Sequence, residues 1–234
     1  MRSRRSWWRF ALRAVPTVLL LAVTATLAAG LQVREVRVTG THRFPSRAVE
    51  AILRGALGTP TVAARAAELR DMVRALPWVE DATVRVSLDG VVSCVVVERA
   101  PAAVAVDGGV GRLLDREGRV LGPADASARM LELDGFAAYP EERATVLASA
   151  GELQRCWEGS LERIERLAPH DVALRFAGIP FPILVDPSHP EGLTAARKVL
   201  AAWIAAPNPM PLRLDARVPG RVAVLPAPLP EEQS

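Results

Sequence analysis

Residues 82–101 read ATVRVSLDGVVSCVVVERAP. Ala82, Val84, Val86 and Leu88 alternate with Thr83, Arg85 and Ser87, the period of a half-buried strand. Asp89-Gly90 then signals a two-residue hairpin, because glycine reaches the positive φ that such turns require. The return strand, residues 91–99, is apolar at both parities, which predicts cover on both faces. Pro101 closes it. A lone hairpin is barely stable in water, so its cover must come from neighbouring segments.

The segments upstream supply it. Residues 33–39 read as a strand with Val36 and Val38 on one face, followed by a turn at residues 40–43. Ser46 is an N-cap candidate for a helix whose stripe is Val49, Ile52, Leu53, Ala56 and Leu57. Gly58 and Pro60 stop it. A second helix carries Val62, Ala66, Leu69, Val73 and Leu76 and ends at Pro77. Trp78, at the junction with the next strand, is expected in the core. The order strand, helix, helix, strand, strand predicts a three-stranded sheet under two helices.

Downstream the pattern is richer in strands. Residues 113–120 suggest a hairpin and residues 130–133 a brief strand. A helix over residues 141–157 buries Val146, Leu147, Ala150, Leu153 and Trp157. Residues 161–167, 171–176 and 179–185 read as sheet segments. A last helix presents Leu193, Ala196, Val199, Leu200 and Trp203, and Pro207 ends it. Strands at residues 212–217 and 221–225 flank Pro219-Gly220. The fold class is α+β. The parts are a basic leader at 1–13, a transmembrane helix at 14–31, one α+β unit at 32–101, a β domain at 102–225 and a disordered proline-rich tail at 226–234.

The anchor reading rests on charge. Arg2, Arg4, Arg5, Arg9 and Arg13 precede the first acidic residue, Glu35, and residues 14–30 hold no charge. Setting those five aside leaves 24 basic against 26 acidic residues, a net of −2, so the basic balance belongs to the leader. The remainder has no electrostatic footprint for nucleic acid. Arginines before the span place that end in the cytoplasm and the following domains outside. Two other readings stand beside the retained span. One is a signal peptide cleaved near Thr26-Leu27-Ala28; the other is a buried soluble helix.

Residues for catalysis do not assemble in the sequence. His42, His170 and His189 sit beside turns and show no metal-ligand spacing. Cys94 and Cys156 form no zinc pattern; they either pair outside the cytoplasm or pack separately as small apolar residues. Gly108-Gly109 and Gly111 read as a mobile loop with no helix behind it. Ser149 and Ser160 lack a nucleophile elbow, and Asp115 with Glu117 reads as a solvated acidic turn. No enzyme activity, metal or cofactor is expected.

Several of these motifs, in this order, resemble the FtsQ family of bacterial division proteins, called DivIB in Gram-positive bacteria. Val36-Arg37-Val38-Thr39-Gly40 resembles the opening strand of a POTRA domain. Leu76-Pro77-Trp78-Val79-Glu80-Asp81-Ala82 is similar to the family's approach to the second strand. Val95-Val96-Val97-Glu98-Arg99-Ala100-Pro101 is similar to its third strand and E-R-x-P exit. Leu114-Asp115-x-x-Gly118-x-Val120 resembles the start of its β domain, and Leu214-Asp215-x-Arg217 with Arg221-Val222-Ala223-Val224 its closing strands. The family's leucine-proline and glycine pair is reduced here to Leu133-Asp134-Gly135, and the final strand lacks the aromatics of some members.

The resemblance implies a non-catalytic scaffold of the divisome in the cytoplasmic membrane at the septum. It further implies recruitment of the small bitopic partners FtsB and FtsL by an added strand. A final strand is often a sheet edge, which needs only open backbone groups to dock a partner. The candidate partner-binding residues are Arg217, Arg221, Val222, Ala223, Val224 and Leu225. Val222 and Val224 would hold the strand to the core, while Arg221, Ala223 and Leu225 would border the partner. The rival functions are a POTRA-bearing outer-membrane assembly or secretion factor, and an anchored cell-wall enzyme.

Overall fold

The computed structural model describes residues 31–125 and 129–228. The leader at 1–13, all of the expected span at 14–31 except Leu31, and the tail beyond residue 228 lie outside the described residues, so their readings stay expectations. Among the described residues no helix is long and apolar enough to cross a membrane. The chain divides into two compact units between Arg99 and Ala100.

The first unit contains β1 (Glu35–Thr39), α1 (Arg47–Arg54), α2 (Ala66–Arg74), β2 (Val79–Val86) and β3 (Val91–Glu98). The sheet order is β1-β3-β2, with β1 parallel and β2 antiparallel to β3. Val49 and Leu53 of α1 and Leu69 and Val73 of α2 meet Val79, Val92, Cys94 and Val96 in one core. Both helices cover the same face of the sheet. Val95 and Val97, on the other face of β3, are therefore 53% and 51% exposed, against the expected cover on both faces.

Other expectations shift locally. The β2–β3 loop has three residues, not two. Ser87 N–H donates to Val91 O, Gly90 N–H donates to Ser87 O, and Gly90 takes φ 90°. That is a type I turn followed by a left-handed glycine. Leu88 and Val62, expected on buried stripes, are 69% and 81% exposed, because each sits in a turn outside its element. Ser46 stands at the N-cap position but makes no capping bond; its hydroxyl donates to Glu50 Oε1 at 2.9 Å. Trp78 is only half-buried, and the neighbouring Val79 takes the core position.

The Glu98 of the E-R-x-P stretch has a defined task. Its carboxylate accepts N–H groups from His42 at 2.6 Å, Arg43 at 2.9 Å and Phe44 at 3.3 Å, tying the loop after β1 to the end of β3. Burial pushes the Glu98 carboxyl up, but the three backbone donors outweigh it and hold it below the ordinary glutamate range.

The second unit contains β4 (Ala103–Asp107), β5 (Val110–Leu114), β6 (Val120–Pro123), β7 (Leu131–Asp134), α3 (Pro140–Cys156), β8 (Leu161–Ala168), β9 (Asp171–Phe176), β10 (Ile183–Val185), α4 (Glu191–Ala205), β11 (Pro211–Asp215) and β12 (Ala223–Pro226). They form one nine-stranded sheet in the order β12-β11-β10-β9-β8-β7-β4-β5-β6. The crossovers β7-α3-β8 and β10-α4-β11 join parallel neighbours. Strands β7, β8, β10 and β11 share one direction, and both crossovers step toward β12. Right-handed connections then put both helices on one face. There Val146, Leu153, Leu193 and Leu200 pack on Leu133, Ile164, Leu174, Ile183 and Leu214.

Strand β4 was not foreseen. Gly108 and Gly109, read as a mobile loop, are the tight turn of the β4–β5 hairpin, with φ of 54° and 82° between paired Asp107 and Val110. Positive φ at both central residues suits a type I′ turn. Asp115 is 2% exposed rather than solvated. It accepts the Arg119 N–H at 2.8 Å and lies in the field of the buried Arg143, whose Nε donates to Gly118 O at 2.8 Å. Cys94 and Cys156 are free thiols.

Candidate partner-binding edge

Strand β12 is short because its neighbours in sequence are turn residues. Val218-Pro219-Gly220-Arg221 makes a turn closed by Arg221 N–H to Val218 O at 3.1 Å, with Gly220 at φ 73°. Proline second and a left-handed glycine third are the type II pattern. The turn reverses the chain and lays Ala223, Val224 and Leu225 antiparallel to Asp215, Leu214 and Arg213. Val222 and Val224 pack against the core cluster, while Arg221, Ala223 and Leu225 are exposed, the sidedness expected from the sequence.

The open side of β12 can be read from the far side of β11. Opposite residues of an antiparallel pair either exchange both main-chain bonds or both turn away. Leu214 N–H donates to Pro182 O at 3.2 Å and Ala216 N–H to Leu184 O at 2.9 Å, so these groups face β10. The Leu214–Val224 pair is then one that turns away, and the Val224 N–H and C=O point to the free side. Ala223 and Leu225 direct theirs to Asp215 and Arg213. Ala227 N–H to Met210 O at 3.2 Å continues that parity. Pro226, at the next outward position, has no N–H. Within β12, Val224 is thus the outward donor, not Ala223.

Arg217, a candidate partner-binding residue, is held in an ion-pair network. Its guanidinium donates to Asp215 Oδ1 at 2.9 Å and Oδ2 at 2.6 Å, and to Asp171 Oδ2 at 2.7 Å. These bonds raise the Arg217 pKa above its already high ordinary value. Arg217 bonding lowers the Asp215 carboxyl against the opposing effect of burial. Arg217 therefore positions the approach to β12. A depression of about 490 Å³ lies along this edge, lined by Asp171, Asp215, Arg217, Val218, Arg221 and Ala223.

Among the described residues no group of three His, Cys, Asp or Glu side chains could hold a metal ion. His189 and Ser188 do meet an aspartate. Asp186 accepts from Ser188 N–H at 2.8 Å, and its Oδ2 lies 3.1 Å from His189 Nδ1. Both residues converge on the acid in one turn ahead of α4, so the three do not form a relay. His42 and His170 lie outside this group, and His170 takes φ 64° in the β8–β9 turn.

The sequence reading missed the outward parity of Val224. It also missed the ion pair between Arg217 and Asp171, 46 positions away. No local pattern carries either.

Residues 31–99 match the family model described as "POTRA domain, FtsQ-type". The chain is similar to the cell division protein FtsQ of Rhizobium meliloti (strain 1021), 31% identical over 170 residues that cover 65% of this chain and 55% of that protein. It is also similar to the cell division protein FtsQ of Salinibacter ruber (strain DSM 13855 / M31), 33% identical over 129 residues, 51% of this chain and 50% of that one. The matches thus span about half the length of these curated relatives. The major extracytoplasmic domain of the trans isomer of the cell division protein DivIB from Geobacillus stearothermophilus aligns with 45% of this chain and 92% of its own, at 18% identity and a TM-score of 0.34, a likeness too slight to bear on the argument. Residues 31–99 thus form a POTRA domain of the FtsQ type, and the chain as a whole is similar to FtsQ cell-division proteins.

Proposed function

We propose that the chain is a non-catalytic, membrane-anchored scaffold of the bacterial divisome, which recruits FtsB- and FtsL-like partners for septal wall synthesis. Docking is by β-augmentation on β12, with Val224 giving and accepting the main-chain bonds and Arg221, Ala223 and Leu225 flanking the added strand. The observation that carries the reading is an edge strand with the Val224 N–H and C=O turned outward. The family supports the cellular role, and the uncharged stretch at residues 14–30 supports the anchor.

The test has two arms. Depleting the protein in its native cell is expected to give filaments; loss of outer-membrane proteins or of a hydrolytic activity would favour the rival functions instead. In membranes, the tagged full chain is expected to retain small bitopic partners, and Val224→Pro is expected to lose most of that capture. Wild-type capture by a folded Val224→Pro chain would remove β12 as the docking edge.

A further inference from the structure

Residue 31, the first described residue, is already hydrogen-bonded into the first unit. Leu31 O accepts Thr61 N–H at 2.7 Å, and Val33 N–H donates to Thr59 O at 2.9 Å. Val33 O accepts Gly58 N–H at 2.9 Å, and Arg34 N–H donates to Gly90 O at 2.7 Å. Val33 itself is 2% exposed. No slack chain lies between residue 31 and the fold. The two turns that clasp the entering chain, residues 57–62 and 87–90, therefore sit beside its point of entry.

Those turns carry the two most exposed large hydrophobic side chains of the described residues. Val62 is 81% exposed and Leu88 69%, and Leu57, next to Gly58, is 42% exposed. Each lies within two positions of a residue bonded to the entry segment. Val62 and Leu88 lie mostly outside the core, and all three side chains border the chain's point of entry. The sequence immediately before, residues 14–30, is uncharged and apolar enough to be that of a bilayer span. A patch held at the mouth of such a span needs little affinity of its own, because the tether sets a high local concentration.

We propose that Val62, Leu88 and Leu57 seat the POTRA unit directly on the lipid surface, fixing its height and tilt above the membrane. The proposal rests on the membrane-anchored reading. The occupant is lipid and the contact is apolar. Two cations of the neighbouring helices are paired, Arg54 with Glu50 at 2.7 Å and Arg65 with Glu68 at 2.6 Å, and Asp89 adds a negative charge. Seating should therefore depend weakly on salt.

The test uses the full chain in vesicles of phosphatidylethanolamine and phosphatidylglycerol, with a benzophenone amino acid at position 62, 88 or 72. Met72, 48% exposed on α2, is the comparison. The expected result is lipid adducts at 62 and 88, detected by mass, with severalfold fewer at 72. Equal adducts at all three positions, or adducts to protein instead of lipid at 62 and 88, would overturn the proposal. So would their absence in a chain that floats with the vesicles, and that outcome leaves the anchor intact. A chain that washes off the vesicles overturns the anchored reading and this proposal together.

Discussion

Arg217 donates to Asp171 Oδ2 at 2.7 Å while holding both oxygens of Asp215, so one guanidinium ties β9 to β11 across the three-residue β10. The span matters because β10 is too short to hold the two neighbours in line by itself. The Arg217 side chain is 36% exposed, and solvent discounts the pairs. Arg217→Ala is expected to cost about 1 kcal/mol and to lower the unfolding midpoint of the second unit by a few degrees. Arg217→Lys should not restore it, because an ammonium cannot bridge two carboxylates as a planar fork does. An unchanged midpoint for Arg217→Ala would mean that the network carries no stability.

Acid sensitivity follows from two carboxylates. Burial raises Glu98, but the three backbone N–H groups win; bonding from Arg217 lowers Asp215 against burial. Both folded-state values lie below the unfolded ones. A depressed carboxylate contributes fully above its unfolded pKa, about 4, and loses that contribution as pH falls through the folded value. Stability is thus expected to fall below about pH 4. Glu98→Gln and Asp215→Asn should each flatten part of that fall, read by denaturant unfolding from neutral to acid pH. An identical acid limb in both variants would separate these carboxylates from acid lability.

At the β1–α1 junction the constraint is steric. Gly40 has φ 88°, and a Cβ there would overlap the Val96 carbonyl oxygen of the adjacent strand. Neither atom can yield without breaking the β1–β3 ladder. Gly40→Ala is expected to destabilise the first unit by about 3 kcal/mol or more. Thermal unfolding of the purified protein checks it; a loss under about 1 kcal/mol would mean that the loop relaxes.

The half-buried setting of Trp78 changes what its removal should do. Full burial would set the loss for Trp78→Ala at about 3–5 kcal/mol. With Val79 at 0% exposure occupying the core position, about 1–2 kcal/mol is expected for Trp78→Ala. Val79→Ala, which deletes far fewer atoms, should cost at least as much. A larger loss at Trp78 would reverse this assignment.

Periodicity made most elements legible. The stripes of α1, α3 and α4 and the alternation in β2 follow directly from residue spacing. Cover by tertiary neighbours was not legible. Residues 91–97 look doubly buried, yet a three-stranded sheet with both helices on one side leaves Val95 and Val97 open. Strand β4 escaped because Ala103-Val104-Ala105-Val106 has no polar alternation; Asp107-Gly108-Gly109 was the turn signal that could have found it. For the candidate edge, the last strand and its sidedness were readable. The outward donor was not, since parity is set by which bonds β11 makes to β10. Glu98 shows the converse case: its motif was visible, but its reason, three N–H groups from a loop more than fifty positions away, needed the fold.

The parity of β12 gives a contrast between adjacent prolines. Ala223 faces Asp215 in a pair that exchanges both main-chain bonds, so Ala223→Pro removes a ladder bond and crowds β11. It is expected to cost about 2–3 kcal/mol. Val224 turns its N–H outward, and Val224→Pro removes a donor that nothing in the chain's own sheet uses. Its cost should stay near 1 kcal/mol, from trimming a half-buried side chain. Proline already stands two residues on, at Pro226, on the same outward side. Partner capture should fall in both variants, but only Val224→Pro should combine that loss with a near-normal unfolding midpoint. If Ala223→Pro proves the milder substitution in denaturant unfolding, the outward donors belong to Ala223 and Leu225 instead, and a partner strand would have to dock in the opposite register.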